Sequence, residues 1–284
     1  MQIVQPHPGI AGLYLSAEAA PTRRGSLSAT GLATCPDLAR QLSAAELAER
    51  RVVSDLRADG ALPRHGFYGA AAGPDRDFAR AGALRELCER VAAADWWRGG
   101  APARRAPARA LRTAATLLAR HPRRQPRRTG LLDIGAVPGV TVIVAWSAEA
   151  DGRGLCFGLA CRGTPAAAAE AAVIELFQME FALALARARR LRGGSLPVAE
   201  AQLLDRAARL SSAWLRRRRP GPPRAAQPAA ARPAVRAGRL HRAGLRIWLF
   251  ETRAPEAGLR VAVARLLPAA AVPRAGRSPP WPLY

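Results

Sequence analysis

Neither lysine nor asparagine occurs anywhere in the 284 residues. Without lysine there is no Walker-type phosphate loop, whose lysine reaches the terminal phosphates, and no Schiff-base chemistry. A protein-kinase site needs both residue types and is excluded as well. Any chemistry on a nucleoside triphosphate would rest on carboxylates, Mg²⁺ and arginine. Cysteine is scarce: Cys35, Cys88, Cys156 and Cys161 form no Cys-x-x-Cys pair, and His7, His65, His121 and His241 are scattered. Zinc and haem signatures are therefore absent, and Cys88 reads as a small buried apolar residue rather than a nucleophile. No N-terminal stretch joins a basic start to an apolar run, which leaves secretion unsupported. The longest apolar run, 166–186, is broken by Glu170, Glu175 and Glu180 and does not read as a membrane span. A cytoplasmic, soluble chain is the expectation.

What is abundant is arginine, which supplies all 44 basic residues and sets the net charge at +23. With so much Ala, Arg, Gly and Pro, the composition has the stamp of a GC-biased coding sequence. A basic surface attracts polyanions, including nucleic acid, nucleotides and acidic peptides. Aromatics make up 5% of the chain and no nucleic-acid motif is present, so a nucleic-acid-binding protein is the weaker reading.

The most informative stretch is 79–97, ARAGALRELCERVAAADWW. Glu86, Glu89 and Arg90 lie at i, i+3 and i+4 and share one helix face, while Ala79, Ala83, Leu84, Leu87 and Val91 give that helix a side to bury. The pattern recurs without a gap forty residues earlier, pairing Asp37 with Asp77, Ala39 with Ala79, Glu46 with Glu86, Leu47 with Leu87, Glu49 with Glu89 and Arg50 with Arg90. A weaker echo runs from Ala168 to Gln178, with Glu175 in the place of the first glutamate and Gln178 in that of the second. Pairs of Glu and Arg at i, i+4 also arise simply because they stabilise an exposed helix face, by roughly 0.2–0.5 kcal/mol each. The alternative is that carboxylates from three helices converge on one cation-filled site.

The small-x-x-x-Ala-Leu-x-Glu-x-x-Glu-Arg run over 79–90, with Trp96 and Trp97 downstream, resembles the signature helix of the YcaO superfamily, ATP-dependent enzymes that activate backbone amides of peptides. The stretch 39–50 resembles that family's other Glu-x-x-Glu helix, and the resemblance covers about residues 30–186. It implies an α+β fold in which mixed and antiparallel sheets pack with helices that converge on a nucleotide and Mg²⁺ site. It implies ATP and Mg²⁺ as cofactors, with Glu46, Glu49, Glu86, Glu89 and Glu175 as metal ligands and Arg50 and Arg90 on the phosphates or the carboxylates. No residue is assigned as a nucleophile. The implied function is cyclodehydration of Cys, Ser or Thr to thiazoline or oxazoline in a ribosomally made peptide such as a bacteriocin. Thioamide, amidine and methylthiolation roles stay open. A precursor peptide and a separate leader-peptide-binding protein are the implied partners, and a homodimer is compatible with the family. A catalytically inactive scaffold in a peptide-modification complex is the alternative. The family has an arginine one turn before the third glutamate where this chain has Ala171, and its two Glu-x-x-Glu helices lie further apart in sequence than forty residues.

In chain order the reading is an N-terminal segment (1–29) with a β-compatible piece at 12–15 and a basic turn at 21–25, then a YcaO-like core (30–215). Within the core, helices are expected from 36 or 37 to 56, from 74–77 onward, and over 107–120 and 166–192. A hairpin is expected over 140–146 and 155–160. The stretch 65–73, HGFYGAAAG, reads as a Gly-rich loop able to approach a phosphate, or as a plain connector. An amphipathic helix is expected over 198–219. A Pro/Ala/Arg-rich linker follows (216–240), then a small C-terminal β element (241–284) with strands at 245–250 and 259–266 and a Pro-rich tail.

Overall fold

A computed structural model describes residues 2–22, 25–62, 67–123, 125–135, 140–217, 221, 247–254 and 258–266. Both the linker over 222–240 and the Pro-rich tail lie outside the described residues, as do His65 and Gly66.

Three antiparallel sheets alternate with helices in one stack. The first sheet holds β1 (Gln2–Pro6), β2 (Tyr14–Thr22) and β3 (Gly25–Ala33) in that order. Helix α1 (Pro36–Ala58) packs on β2 and β3 and separates that sheet from a second one of order β4 (Tyr68–Gly73), β10 (Leu259–Leu266), β9 (Ile247–Ala254). On the far side of the second sheet lies α2 (Arg76–Arg98), followed by a third sheet of order β5 (Arg104–Arg105), β6 (Arg128–Asp133), β7 (Thr141–Ala148), β8 (Cys156–Arg162). Helix α4 (Pro165–Leu191) closes the stack, flanked by α3 (Ala108–Arg120) and α5 (Val198–Arg209), with α6 (Ser212–Arg217) after it.

Alternation explains why the inner strands are apolar on both faces. From β7, Val142 and Val144 pack toward α2 while Ile143 and Ala145 pack toward α4. From β10, Ala262 and Ala264 face α2, whereas Val261 and Val263 face α1. Trp96 and Trp97 at the end of α2 meet Phe157 of β8 edge to face, with ring centroids 6.4 and 6.1 Å away. Both indoles are core residues.

The forty-residue repeat is a repeated β-α unit. Helix α2 begins and ends forty residues after α1, and β3 and β4 end forty residues apart. The β8-α4 unit continues the series, since Gly158 and Glu175 sit in the strand and helix register of Gly69 and Glu86. A Cβ on Gly69 would collide with the Ala83 carbonyl oxygen of α2, and one on Gly158 with the Ala172 carbonyl oxygen of α4. Each strand therefore lies directly against its helix backbone.

That close approach corrects the reading of 65–73. Tyr68–Gly73 is strand β4, and its Gly and Ala residues are there because nothing larger fits between β10 and two helices. The N-terminal strands are longer than the β-compatible piece at 12–15, and of the basic turn expected at 21–25, Pro21 and Thr22 end β2 and Gly25 opens β3, while Arg23 and Arg24 lie outside the described residues. Helix 198–219 is broken at Leu210, whose backbone is extended, into α5 and α6. The two C-terminal strands are present as β9 and β10, and β10 hydrogen-bonds to β4 along its length. Among the described residues no helix is long and apolar enough to cross a membrane.

Candidate functional site

Strands β4 and β8 each lie at an edge of their sheet. An edge strand presents backbone N–H groups with no strand partner, and these must be satisfied some other way. Here glutamates do it. Ala70 N donates to Glu86 Oε2 of α2 at 2.6 Å, and Ala72 N donates to Glu49 Oε1 of α1 at 2.6 Å. One sheet further on, Leu159 N donates to Glu175 Oε2 of α4 at 2.8 Å, and Cys161 N to Glu89 Oε1 of α2 at 2.5 Å. Each edge is thus held from both flanking helices, and α2 serves both edges because its two glutamates are one turn apart. The i, i+3 spacing legible in the sequence is the spacing needed to straddle two strands.

Four carboxylates are thereby brought to one side of the stack, with Glu46 beside them on α1. Burial pushes Glu89 up to about 8 and Glu175 up to about 7. Arg162, 3.3 Å from Glu89, opposes the shift of Glu89, while the charges of Glu175 and Glu86 add to it. For Glu175 the Leu159 hydrogen bond opposes burial, and Glu86 and Glu46 add to the shift. Glu49 is likewise raised, by burial first and then by the charges of Glu46 and Glu86. The shifts of Glu49, Glu89 and Glu175 thus each include the charge of at least one other of these five glutamates.

A cavity of about 660 Å³ opens at this place, lined by Glu46, Glu49, Arg50, Arg57, Glu86 and Arg90 together with Leu27, Val53, Ser54, Tyr68 and Ala70. Along α1 the lining residues 46, 49, 50, 53, 54 and 57 fall at helical spacing and form one stripe. Arg90 donates to Glu86 Oε1 through Nε at 2.9 Å and also through Nη2. Arg50 Nε donates to Glu46 Oε1 at 2.7 Å and its Nη1 to the Ser28 carbonyl at 2.8 Å. The guanidiniums of Arg57 and Arg90 lie over the Tyr68 ring, 5.1 and 4.7 Å from its centroid.

Glu46, Glu49, Glu86, Arg50 and Arg90 share the cavity wall. Glu89 and Glu175 stand behind it, tied to β8. Six cavity residues escaped the sequence reading: Leu27, Val53, Ser54, Arg57, Tyr68 and Ala70. Arg57 continues the α1 stripe two turns past Arg50 and could have been found by extending the helical spacing. Tyr68 and Leu27 reach the site from strands whose small-residue composition gave no local signal.

Among the described residues no group of three or more His, Cys, Asp or Glu side chains stands at metal-binding spacing. The donor set still suits Mg²⁺, which is usually held by one or two carboxylates together with phosphate oxygens and water. In Glu49, Glu89 and Glu175 the recorded hydrogen bonds engage one carboxylate oxygen each. A divalent cation would offset the burial and, after it, the mutual repulsion that hold these groups' proton affinity high.

A pH prediction follows. Glu89 and Glu175 bind protons more tightly folded than unfolded, so the folded state carries the extra protons between about pH 4.5 and 8. Stability from this source is full at low pH and is lost as pH rises through the folded values. Without divalent cation, the melting temperature should fall by about 5 °C or more between pH 5.5 and 9, and Mg²⁺ with ATP should shrink the loss. Differential scanning calorimetry at the two pH values checks this.

A family model described as YcaO cyclodehydratase, ATP- and Mg²⁺-binding, matches residues 43–267. Among solved structures, the chain is similar to YcaO from Methanopyrus kandleri bound with AMPPCP and Mg²⁺, at 17% identity and a TM-score of 0.59, covering 94% of this chain and 84% of that one. It is similar to the E. coli microcin synthetase McbBCD complex at 10% identity and a TM-score of 0.61, covering 94% and 86%. A heterocyclase in complex with substrate and cofactor matches at 19% identity and a TM-score of 0.51 over 70% of this chain, which spans 27% of that protein. At these identities the likeness is one of fold. No curated protein sequence matches the chain.

Proposed function

Since the chain belongs to the YcaO family, whose cofactors are ATP and Mg²⁺, we propose that it uses them to activate backbone amides of a ribosomally made precursor peptide, closing Cys, Ser or Thr residues into thiazolines or oxazolines. The observation that carries this reading is the cavity on which Glu46, Glu49, Glu86, Arg50 and Arg90 converge, with the buried Glu89 and Glu175 at its back.

Mg²⁺, when bound, would supply positive charge that offsets the site's carboxylates and a triphosphate. Glu49 and Glu86 are the first candidates to hold it, since both line the cavity and both are anchored on β4. Glu89 and Glu175, each with one carboxylate oxygen outside the bonds to β8 and Arg162, would complete the set. Arg50, Arg57 and Arg90 place planar donor groups along the same wall, the arrangement suited to phosphate oxygens. Nothing in this scheme requires a protein nucleophile: the peptide's own side chain attacks the preceding carbonyl, and the protein's task is placement and charge stabilisation. A precursor peptide and a separate protein that delivers it by its leader are the partners of this reading. Residues 30–215 form its catalytic core, which β10 completes by pairing with β4.

Incubation with Mg²⁺, ATP and a candidate precursor peptide tests the proposal. Phosphate release should rise at least about tenfold on adding the peptide, and the peptide should lose one water mass per ring. An inactive scaffold would bind the peptide without stimulated phosphate release, and that result would overturn the enzymatic reading.

A further inference from the structure

A second cavity, of about 380 Å³, lies on another face of α4 from Glu175. Its wall is made by the β1–β2 loop (His7, Gly9, Ile10), by the stretch between α3 and β6 (Arg123, Arg127) and by Glu180, Phe181, Ala184, Arg187 and Ala188 of α4. The proposed amide activation makes no use of it.

Its walls are apolar and its polar floor is dominated by cations. Glu180, one-tenth exposed, sits between two arginines that are equally buried: Arg123 Nε is 2.8 Å from Glu180 Oε2, and Arg127 Nε is 3.5 Å from Glu180 Oε1. Ser147 Oγ donates to Glu180 Oε1 at 2.6 Å. Behind the floor, Glu149 pairs with Arg127 at 3.5 Å and with Arg187. Three guanidiniums thus face two carboxylates. The surplus has a definite location. Arg123 Nη1 donates to Thr129 Oγ1 at 3.0 Å, but its buried Nη2 has no acceptor among the described residues.

His7 adds a second unmatched donor. Its Nδ1 accepts from Gly9 N at 3.1 Å, which puts the proton of the neutral ring on Nε2, and that buried atom has no partner among the described residues either. Burial lowers the His7 value to about 4, so the ring is neutral at ordinary pH. Buried donors left without acceptors are costly. Two of them belong to residues on the wall of one small cavity with one net cationic charge beneath it.

We propose that this cavity is a binding site for a small carboxylate with an apolar body, its carboxylate meeting Arg123 and His7 and its body lying against Ile10, Phe181 and Ala184. The volume is at the small end of the range for ligand pockets and sets a limit on size.

The test uses the full chain with 4-phenylbutyrate and, as the matched neutral compound, 4-phenylbutyramide, each titrated by calorimetry. The carboxylate should bind saturably and at least about tenfold more tightly than the amide. Ala184 is exposed on the cavity wall, so Ala184→Trp fills the space without entering the core and should abolish binding. Hydrogen exchange on the wild type supplies a readout that does not depend on the variant, with carboxylate-induced protection expected at 123–127 and 180–188. Equal affinity for acid and amide, no saturable binding of the acid, undiminished binding by Ala184→Trp, or protection confined to other segments would each overturn the assignment.

Discussion

Glu89→Gln should bind Mg²⁺·ATP about 30- to 100-fold more weakly than the wild type while folding normally. Glutamine keeps the size of the side chain and an oxygen to accept from Cys161 N, so the edge of β8 stays tied to α2. What disappears is a buried negative charge that Arg162 partly offsets and that Glu86 and Glu175 repel. Losing one carboxylate from the cation's surroundings accounts for about 2–3 kcal/mol of binding, which is the stated range. Above pH 8 the same change removes a buried charge that Arg162 offsets only in part, so the variant should melt at or above the wild-type temperature. Isothermal titration of Mg²⁺·ATP into both proteins, with circular dichroism as the control for folding, decides the matter. Equal nucleotide affinity would remove Glu89 from the site.

Gly158→Ala should be the most destabilising single-methyl change among the glycines named above. Its Cβ would overlap the Ala172 carbonyl oxygen and crowd the Leu176 amide of α4, both backbone atoms that cannot turn aside as a side chain would. Strand and helix must part, which costs about 3 kcal/mol or more and lowers the melting temperature by about 6–12 °C. Separation also pulls Leu159 N from Glu175, so affinity for Mg²⁺·ATP should fall with stability. Gly60→Ala is the matched control. Gly60 has φ +72° with nothing near its Cβ position, so only the left-handed backbone resists the methyl group, at about 1–2 kcal/mol. A melting temperature for Gly158→Ala within 2 °C of that control, a margin worth about 1 kcal/mol, would show that the strand–helix approach is not the tight contact described.

What the sequence could reveal was whatever repeats locally. Glu86 and Glu89 were visible because one-turn spacing lets them reach two strand edges, Glu46 and Glu49 because α1 repeats that spacing, and Glu175 because its helix copies the register of Glu86. The helices α1, α2, α3 and α4 were legible from their apolar spacing within a few residues of their ends. Hidden were contacts that depend on distant partners. Tyr68–Gly73 reads as a loop because its Gly and Ala residues answer to α2 and β10, neither of which local periodicity can sense. The pairing of β10 with β4 leaves no trace in either strand. Arg57 and Arg90 both reach the Tyr68 ring only because the stack places α1 and α2 on opposite sides of one sheet.

Val263 stands opposite Ala70, about two thirds of the chain's length away. During synthesis, a ribosome will have released α1, β4 and α2 long before the strand that must slot between them exists. The half-built layer has to wait with its central groove open, and so depends on chaperones or on slow late docking. Prematurely terminated products would then be unable to sequester nucleotide, which confines the chemistry to chains translated through β10.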